Sequence, residues 1–489
     1  GYKIVHSTKP TPLEFGKDVI AIAPDGKLVA YQLKGNPNST LSPRDFDGIR
    51  GQLDQLATLA VTIPGLRTRT PDECYLVTNG NIDEAVYHQI QTLNASLEGR
   101  GHGPERIKTI TRGTLLEWAR SLGYSLWPSE VEDISNLLKL LNCQGDEILP
   151  AKVFHRLLYS TFALDRRLKR DELRRRLTSA GVMTSVALQS FSRKANHFAE
   201  ITAWVMFATY SVAAATRANM PHSRDAQNAI LIAKDAIYDR LGQLCQELDG
   251  RKTLAEGDPL SDFAFYRARQ LMLCMLMSIY WMWSEAESWK RPEHKSVVEK
   301  FLPDQLGPKW LWGEGAIPNM ITFLWYRRKV DATVRYELSI EFLLQILLEN
   351  KLADQGHLAS PYCSIEDTVR HQYHRILNCR NPFEGYDFGS ESYLAESLLL
   401  FLVRANRKQA CRNLWPDFTR IQNQAFVVDS AWQYGLYRSD HGGNKTKIYP
   451  PTYDWKDLQA DAKDDAVAMI PPALKQDPIL LLLFVNIFP

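Results

Sequence analysis

The chain has 489 residues, of which 45% are hydrophobic and 23% charged, and it contains 27 glycines and 25 prolines. This composition is typical of globular proteins and excludes collagenous, low-complexity and wholly disordered chains. The formal net charge is only +2, so the whole protein is not an electrostatic nucleic-acid binder, although a local patch could be. Seven cysteines without a CxxC pair predict reduced thiols in a cytoplasmic protein and no disulfide framework.

Strand and helix signals alternate over residues 1–128. The sequence Pro24, Asp25, Gly26 predicts a hairpin turn, and Ser42 before Pro43 predicts a helix start. This alternation predicts a mixed central sheet with helices packed on it. The predicted order is strand Tyr2–His6, strand Val19–Ala23, strand Leu28–Lys34, a helix from Pro43, strand Cys74–Thr78, helix Ile82–Leu97, strand Ile107–Ile110 and helix Thr114–Leu122.

Helical spacing dominates from residue 131 to the end of the chain. We therefore predict an α+β protein in which an α/β/α domain at 1–128 is followed by a helical connector at 129–195 and an all-α domain at 196–489. The apolar runs Ile201–Thr216 and Leu271–Trp283 are shorter than the roughly 20 residues that span a bilayer, so they predict buried core helices and no membrane association. The strand-like start of the chain predicts no signal peptide.

Three polar residues of the predicted hairpin are candidates for a metal site. Side chains alternate along a strand, so Gln32 and Lys34 are expected on one face and Leu33 is expected in the core. A three-residue loop centred on Asp25 places Asp18 opposite Gln32, with Cβ atoms roughly 4.5–5.5 Å apart. A carboxylate and an amide oxygen could then hold Mg²⁺, and Lys34 could polarise an attacking water.

The segment FGKDVIAIAPDGKLVAYQLKG, which carries these residues, resembles the PD-(D/E)xK nuclease superfamily, specifically its Mrr-like restriction-endonuclease branch, with Q-x-K in place of E-x-K. The downstream CYLVTNGNIDEAV is similar to the strand, loop and helix that close this domain. The resemblance covers about residues 1–128. It implies a restriction-endonuclease-like fold, with Asp18 and Gln32 as ligands of Mg²⁺ or Mn²⁺ and Lys34 as the catalytic lysine.

The resemblance also implies a further acidic residue on a helix before the first strand. The chain starts at what resembles the junction after that helix, and Glu14 is a weak substitute for the missing acid. The alternative interpretation of Asp18 and Lys34 is a surface ion pair, worth about 0–1 kcal/mol, beside an incidental glutamine.

Residues 151–200 carry 11 basic and 4 acidic side chains, a net charge of +7. A predicted helix at Asp165–Leu177 holds a narrow leucine stripe, and basic residues cover much of the remaining surface. This helix could follow a phosphate backbone, or it could be a solvated face with its own acidic partners. The DNA-binding candidates are Arg166, Arg167, Lys169, Arg170, Arg174, Arg175 and Arg176.

Two weaker patterns have structural alternatives. Cys363, His371, His374 and Cys379 have a spacing that fits no common zinc pattern, so the histidines are expected to be ordinary helix-face residues. The tryptophan-rich segments are expected in the core rather than in a base-stacking groove. Their tryptophans are Trp281, Trp283, Trp310, Trp312 and Trp325.

The sequence and the resemblance together suggest a metal-dependent DNA endonuclease that acts in bacterial anti-phage defence. The helical region would recognise a target, bind a protein partner or a second copy, or hold the nuclease inactive. The alternative is a catalytically inactive nuclease-like scaffold or DNA-binding subunit of a larger defence complex, which the replacement of the usual acid by Gln32 leaves open. The sequence contains no G-x(4)-G-K-[ST] loop, so any ATP requirement would come from another chain.

Overall fold

A computed structural model of the protein divides the chain into two compact units, Gly1–Ser125 and Leu126–Pro489. Among the residues that the structure describes, separate hydrophobic clusters form the interior of each unit, and three of these clusters lie in the second unit. The structure describes residues 3–7, 17–35, 40–61, 68–115, 117–118, 130–251, 263–304, 314–352, 391–436, 443–463 and 470–487. Glu14 and most of the predicted helix Thr114–Leu122 lie outside these ranges.

The strands of the first unit are β1 Lys3–Ser7, β2 Val19–Ile22, β3 Leu28–Lys34, β4 Thr40–Leu41, β5 Glu73–Thr78, β6 Asn81–Ile82 and β7 Ile107–Ile110. Five of them form the predicted mixed sheet, in the order β1-β2-β3-β5-β7. β1 pairs with β2 and β2 with β3 in antiparallel fashion, whereas β3, β5 and β7 are parallel. Two short strands, β4 and β6, pair with each other beside this sheet.

Two helices, α1 (Pro43–Thr58) and α2 (Glu84–Gly99), cover one face of this sheet. The predicted start of α1 is confirmed, because the Ser42 and Asp45 side chains form reciprocal capping hydrogen bonds with the backbone. Phe46 and other apolar residues at helical spacing pack against strand residues such as Leu76. The two helices therefore fix which face of β3 is buried.

The second unit is mainly helical. Its described helices are α3 Val131–Leu141, α4 Ala151–Thr161, α5 Arg170–Ala187, α6 Gln189–Arg193, α7 His197–Arg217, α8 Arg224–Leu248, α9 Phe263–Glu287, α10 Glu293–Asp304, α11 Ala316–Val330, α12 Tyr336–Leu352, α13 Ala395–Arg404, α14 Lys408–Phe418, α15 Trp455–Asp461, α16 Pro472–Gln476 and α17 Pro478–Ile487, with a 3-10 helix at Ala431–Gly435.

The prediction of an all-α second region is wrong in one respect, since this unit also contains a three-stranded sheet. Strands β8 (Glu391–Ser392), β9 (Gln422–Val427) and β10 (Gly443–Lys447) pair in the order β10-β9-β8. Their sequences are short and rich in polar residues, so they lack the alternating apolar pattern by which strands are recognised. The pairing between β8 and β9 is parallel, with Glu391 opposite Gln422 and Ser392 opposite Asn423.

Residues 129–195, expected as a connector, contribute to the same hydrophobic core as α7. Phe154 of α4 and Met183 of α5 lie in this core together with Phe207 of α7. Among the described residues, one helix, His197–Arg217, is long and apolar enough to cross a membrane, and 89% of its apolar stretch is buried inside the protein. That burial agrees with the core helix predicted at Ile201–Thr216.

Candidate functional site

The register of the β2–β3 hairpin sets the geometry of the predicted site. Val19 pairs with Tyr31 and Ile22 with Leu28, and Gly26 adopts the positive φ of 84° that the turn requires. The same register continues one residue beyond β2 and brings Asp18 opposite Gln32. The Asp18 backbone N–H donates to the Tyr31 carbonyl at 2.9 Å, which holds this end of the hairpin closed.

Asp18 and Gln32 are in direct contact. The Gln32 Nε2 donates to Asp18 Oδ2 at 2.7 Å, and the Leu33 backbone N–H donates to the same oxygen at 2.5 Å. Gln32 is only 3% exposed, and within the described part of the chain its Oε1 atom is buried without a hydrogen-bond partner. A buried amide oxygen left unpaired costs about 1–3 kcal/mol, so this atom is suited to a ligand.

The expected orientation of β3 is wrong, because Leu33 is 46% exposed and Gln32 is buried. Ala30 and Gln32 share the face that α1 and α2 cover, whereas Tyr31 lies on the other face and stacks on Tyr75 with ring centroids 5.3 Å apart. Lys34 ends the strand and is half-buried. The site therefore opens at the end of the strand and not across an exposed hairpin face.

This end of the sheet is where the parallel strands terminate. Lys34 ends β3 directly opposite Thr78, which ends β5, and Ile110 ends the neighbouring β7. Thr78 is buried, and its Oγ1 accepts a hydrogen bond from the Gly80 backbone N–H at 3.1 Å. Ligands of open α/β sheets commonly bind outside the carboxyl ends of the strands, so Lys34 lies at a favourable edge.

Lys17 is a neighbour of the site that the sequence prediction missed. It is 4% exposed, and its Nζ donates to the Gln55 carbonyl in the last turn of α1 at 3.2 Å. Burial lowers the pKa of Lys17 to about 8. A lysine beside Asp18 in the sequence gave no sign of burial, because charged residues next to a strand are usually solvated.

Asp18 and Gln32 are the two oxygen-bearing side chains that the described residues bring into contact here. The described residues contain no group of three or more His, Cys, Asp or Glu side chains that could hold a metal ion. Asp18 and Gln32 offer one carboxylate and one amide, and Mg²⁺ is often bound by one or two carboxylates together with waters and substrate phosphate. The residues therefore fit a weak Mg²⁺ or Mn²⁺ site, provided that the Gln32 amide rotates to turn its oxygen toward Asp18.

The basic segment of the second unit differs from its prediction at its start. The helix begins at Arg170, so Arg166, Arg167 and Lys169 precede it and are not helical. Ala163 has a positive φ of 48°, which turns the chain before the helix can start. The four leucines of the predicted stripe are all buried, but only Leu173 and Leu177 lie on the helix. The other two are Leu164 and Leu168.

The seven basic candidates fall into two groups. Arg166 forms an ion pair with Glu172, Arg176 donates to the Thr161 carbonyl at 3.3 Å, and Arg174 lies 3.9 Å from Asp225. The remaining four are exposed and have no partner among the described residues. These four are Arg167, Lys169, Arg170 and Arg175.

The zinc candidates Cys363, His371, His374 and Cys379 lie outside the described residues, as do Trp310 and Trp312. Trp283 is 2% exposed and belongs to the core, as predicted. Trp281 is half-buried and donates from Nε1 to Glu299 at 3.0 Å. The prediction that Trp325 lies in the core is wrong, because α11 buries Phe323 and Tyr326 and leaves Trp325 44% exposed.

No protein-family model, curated protein or solved structure matches this chain. The chemistry of the candidate site is therefore argued from its own residues and geometry.

Proposed function

We propose that the protein is a Mg²⁺- or Mn²⁺-dependent DNA endonuclease whose first unit has a restriction-endonuclease-like fold. One observation carries the proposal: Asp18 contacts Gln32, whose buried amide oxygen lacks a partner, at the strand end that also bears Lys34. The resemblance of this hairpin to Mrr-like nucleases supports the reaction class, and with it an effector role in cytoplasmic anti-phage defence.

Each residue of the hairpin would have a distinct role. Asp18 and Gln32 would hold the metal ion, which when bound would polarise a phosphodiester and lower the pKa of a water. The Leu33 N–H fixes the Asp18 carboxylate at 2.5 Å, so this ligand is positioned before metal or substrate arrives. Lys34 would orient the attacking water and stabilise the charge that develops on the phosphoryl oxygens.

The amide of Gln32 gives a test of the metal site that does not depend on cleavage. In Gln32→Glu, two carboxylates face each other and Asp18 loses a donor, so without metal the unfolding free energy should fall by about 1–3 kcal/mol. Mg²⁺ should reverse this loss, because a second carboxylate binds a hard cation more strongly than an amide. The measurement is thermal unfolding of the full chain in EDTA and at increasing Mg²⁺ concentration.

The matched control is Gln52→Glu, which adds the same charge at an exposed position of α1. Its unfolding should be nearly independent of Mg²⁺. If the two variants respond alike to Mg²⁺, Gln32 does not face a metal site.

The alternative is an inactive nuclease-like scaffold or DNA-binding subunit. The hydrogen bond from Gln32 to Asp18 supports it, because the amide N–H group occupies a carboxylate oxygen that a metal ion would need. Under this alternative the second unit would bind a protein partner or a second copy, and no variant of the hairpin would alter DNA cleavage.

DNA contact by the basic segment has its own test. If Arg167, Arg170 and Arg175 contact phosphates, changing all three to Ala should weaken binding to all duplexes alike. The slope of log K against log salt should fall by about 0.9 for each lost contact. The control is Arg166→Ala, since Arg166 is already paired with Glu172 and should contribute less. An unchanged slope in a folded triple variant would remove the segment from the DNA interface.

A further inference from the structure

Packing in the second unit joins two basic segments that lie far apart in the sequence. Residues 327–335 contain four basic side chains and one acidic, and residues 404–412 contain four basic side chains and no acidic ones. The first segment covers the last turn of α11 and the loop to α12, and the second runs from the end of α13 into α14. Tyr336 and Phe401 join them through rings whose centroids are 5.3 Å apart, and Arg407 donates to Glu341 at 2.9 Å.

The surface formed by residues 327–335 and 401–412, here called the second basic surface, has more cations than nearby acids can neutralise. Arg328 pairs with Glu337 at 3.1 Å, and Arg407 pairs with Glu341. Lys329, Arg335 and Arg412 are exposed and have no partner among the residues that the structure describes. The surface therefore offers several uncompensated positive charges on a chain whose net charge is only +2.

An aromatic ring lies within the same surface. Phe401 is 39% exposed although it belongs to the last turn of α13, and its T-shaped contact with Tyr336 holds the ring in place. Arg404 follows it by one helical turn and is also exposed. A fixed, partly exposed ring with cations around it has the two elements that bind single-stranded nucleic acid, a stacking platform and a path for phosphates.

We infer that the second basic surface binds single-stranded nucleic acid. A duplex keeps its base faces stacked and offers nothing to Phe401, and an acidic peptide would use the charges without needing the ring. The inference goes beyond the proposed nuclease function, because it assigns a separate binding site to the second unit and requires neither a metal ion nor cleavage.

The test measures fluorescence anisotropy of a labelled 20-nucleotide mixed-sequence DNA strand, alone and as a duplex, with the full chain in EDTA. Phe401→Leu keeps an apolar side chain but removes the ring, so it should weaken binding of the single strand by about 5- to 100-fold. Phe401→Tyr should retain affinity for the single strand. Duplex affinity should be the same for both variants and for the wild type.

Charge is tested separately with Lys329, Arg335 and Arg412 changed together to Ala. The salt slope for the single strand should fall by about 0.7 for each lost contact. The control changes Lys139 and Lys152, which are exposed on α3 and α4. These helices pack on a different hydrophobic cluster from the second basic surface, so the control should leave the salt slope unchanged. Melting curves establish that every variant folds.

Three results would overturn the inference. The first is that Phe401→Leu and the wild type bind the single strand with equal affinity. The second is that Phe401→Leu loses as much affinity for the duplex as for the single strand. The third is that the triple variant binds polyglutamate or anionic vesicles more weakly than the wild type but binds DNA equally well. A wild type that binds the single strand in EDTA but never cleaves DNA would contradict only the proposed nuclease function.

Discussion

Replacement of Lys34 by Ala is expected to reduce DNA cleavage by at least about 100- to 1,000-fold, the usual cost of losing one preorganised charge at a phosphoryl transition state. Folding should change little, because Lys34 is the half-buried last residue of β3 and its side chain forms no hydrogen bond or ion pair with a described residue. The measurement is plasmid nicking with Mg²⁺ or Mn²⁺, accompanied by a melting curve.

Lys27→Ala is the matched control for this result. Lys27 belongs to the same hairpin, but its side chain is 53% exposed and pairs with Asp25 at 3.0 Å, far along the strand from Asp18. It should leave cleavage intact. Asp18→Asn should be as inactive as Lys34→Ala, since it removes the carboxylate that would hold the metal. Cleavage by Lys34→Ala at the wild-type rate would exclude Lys34 from the mechanism.

The sequence was sufficient to predict the hairpin contact because local rules determine it. A glycine turn and a three-residue loop fix the register of two strands, and the register alone brings Asp18 to Gln32. The start of α1 was equally local, since Ser42 and Pro43 are a capping residue and a first-turn proline. Both predictions depend on residues within one element or on adjacent strands.

The buried face of β3 could not be predicted from the same segment. Because side chains alternate along a strand, Gln32 and Leu33 lie on opposite faces of β3. Only the packing of α1 and α2 decides which of these two faces is buried. Gln32 is buried and Leu33 is exposed, which is the reverse of the usual preference for burying apolar side chains. Lys17 was missed for the same reason, because its partner is the carbonyl of Gln55, 38 residues away.

Long-range packing also explains what was missed in the second unit. The second basic surface joins two segments about 70 residues apart, so a charge count along the chain cannot show that they meet. The strands of the small sheet are short, and β8 has only two residues. Its position is set by the hydrogen bond from Ser392 to Glu314, which lies 78 residues earlier in the chain.

The charged pair of Glu314 and Lys351 predicts the largest effect on stability. Their side chains are 0% and 1% exposed, and Lys351 Nζ lies 3.1 Å from Glu314 Oε2. The other carboxylate oxygen accepts hydrogen bonds from Ser392 Oγ at 2.6 Å and from the backbone N–H groups of Tyr393 at 2.8 Å and Leu394 at 2.6 Å. Glu314 thus binds the N-terminal end of α13 to the end of α12.

Lys351→Met should destabilise the second unit by about 3–5 kcal/mol, because it keeps the volume of the side chain but leaves the Glu314 carboxylate buried without this cation. The expected result is a lower urea midpoint for the unfolding of helical structure in the full chain. The double change Glu314→Gln and Lys351→Met should recover part of the loss, since a neutral amide oxygen can still accept the hydrogen bonds of β8 and α13. If the single variant unfolds at the wild-type midpoint, or the double variant is less stable than the single one, the buried charge is not what holds these elements together.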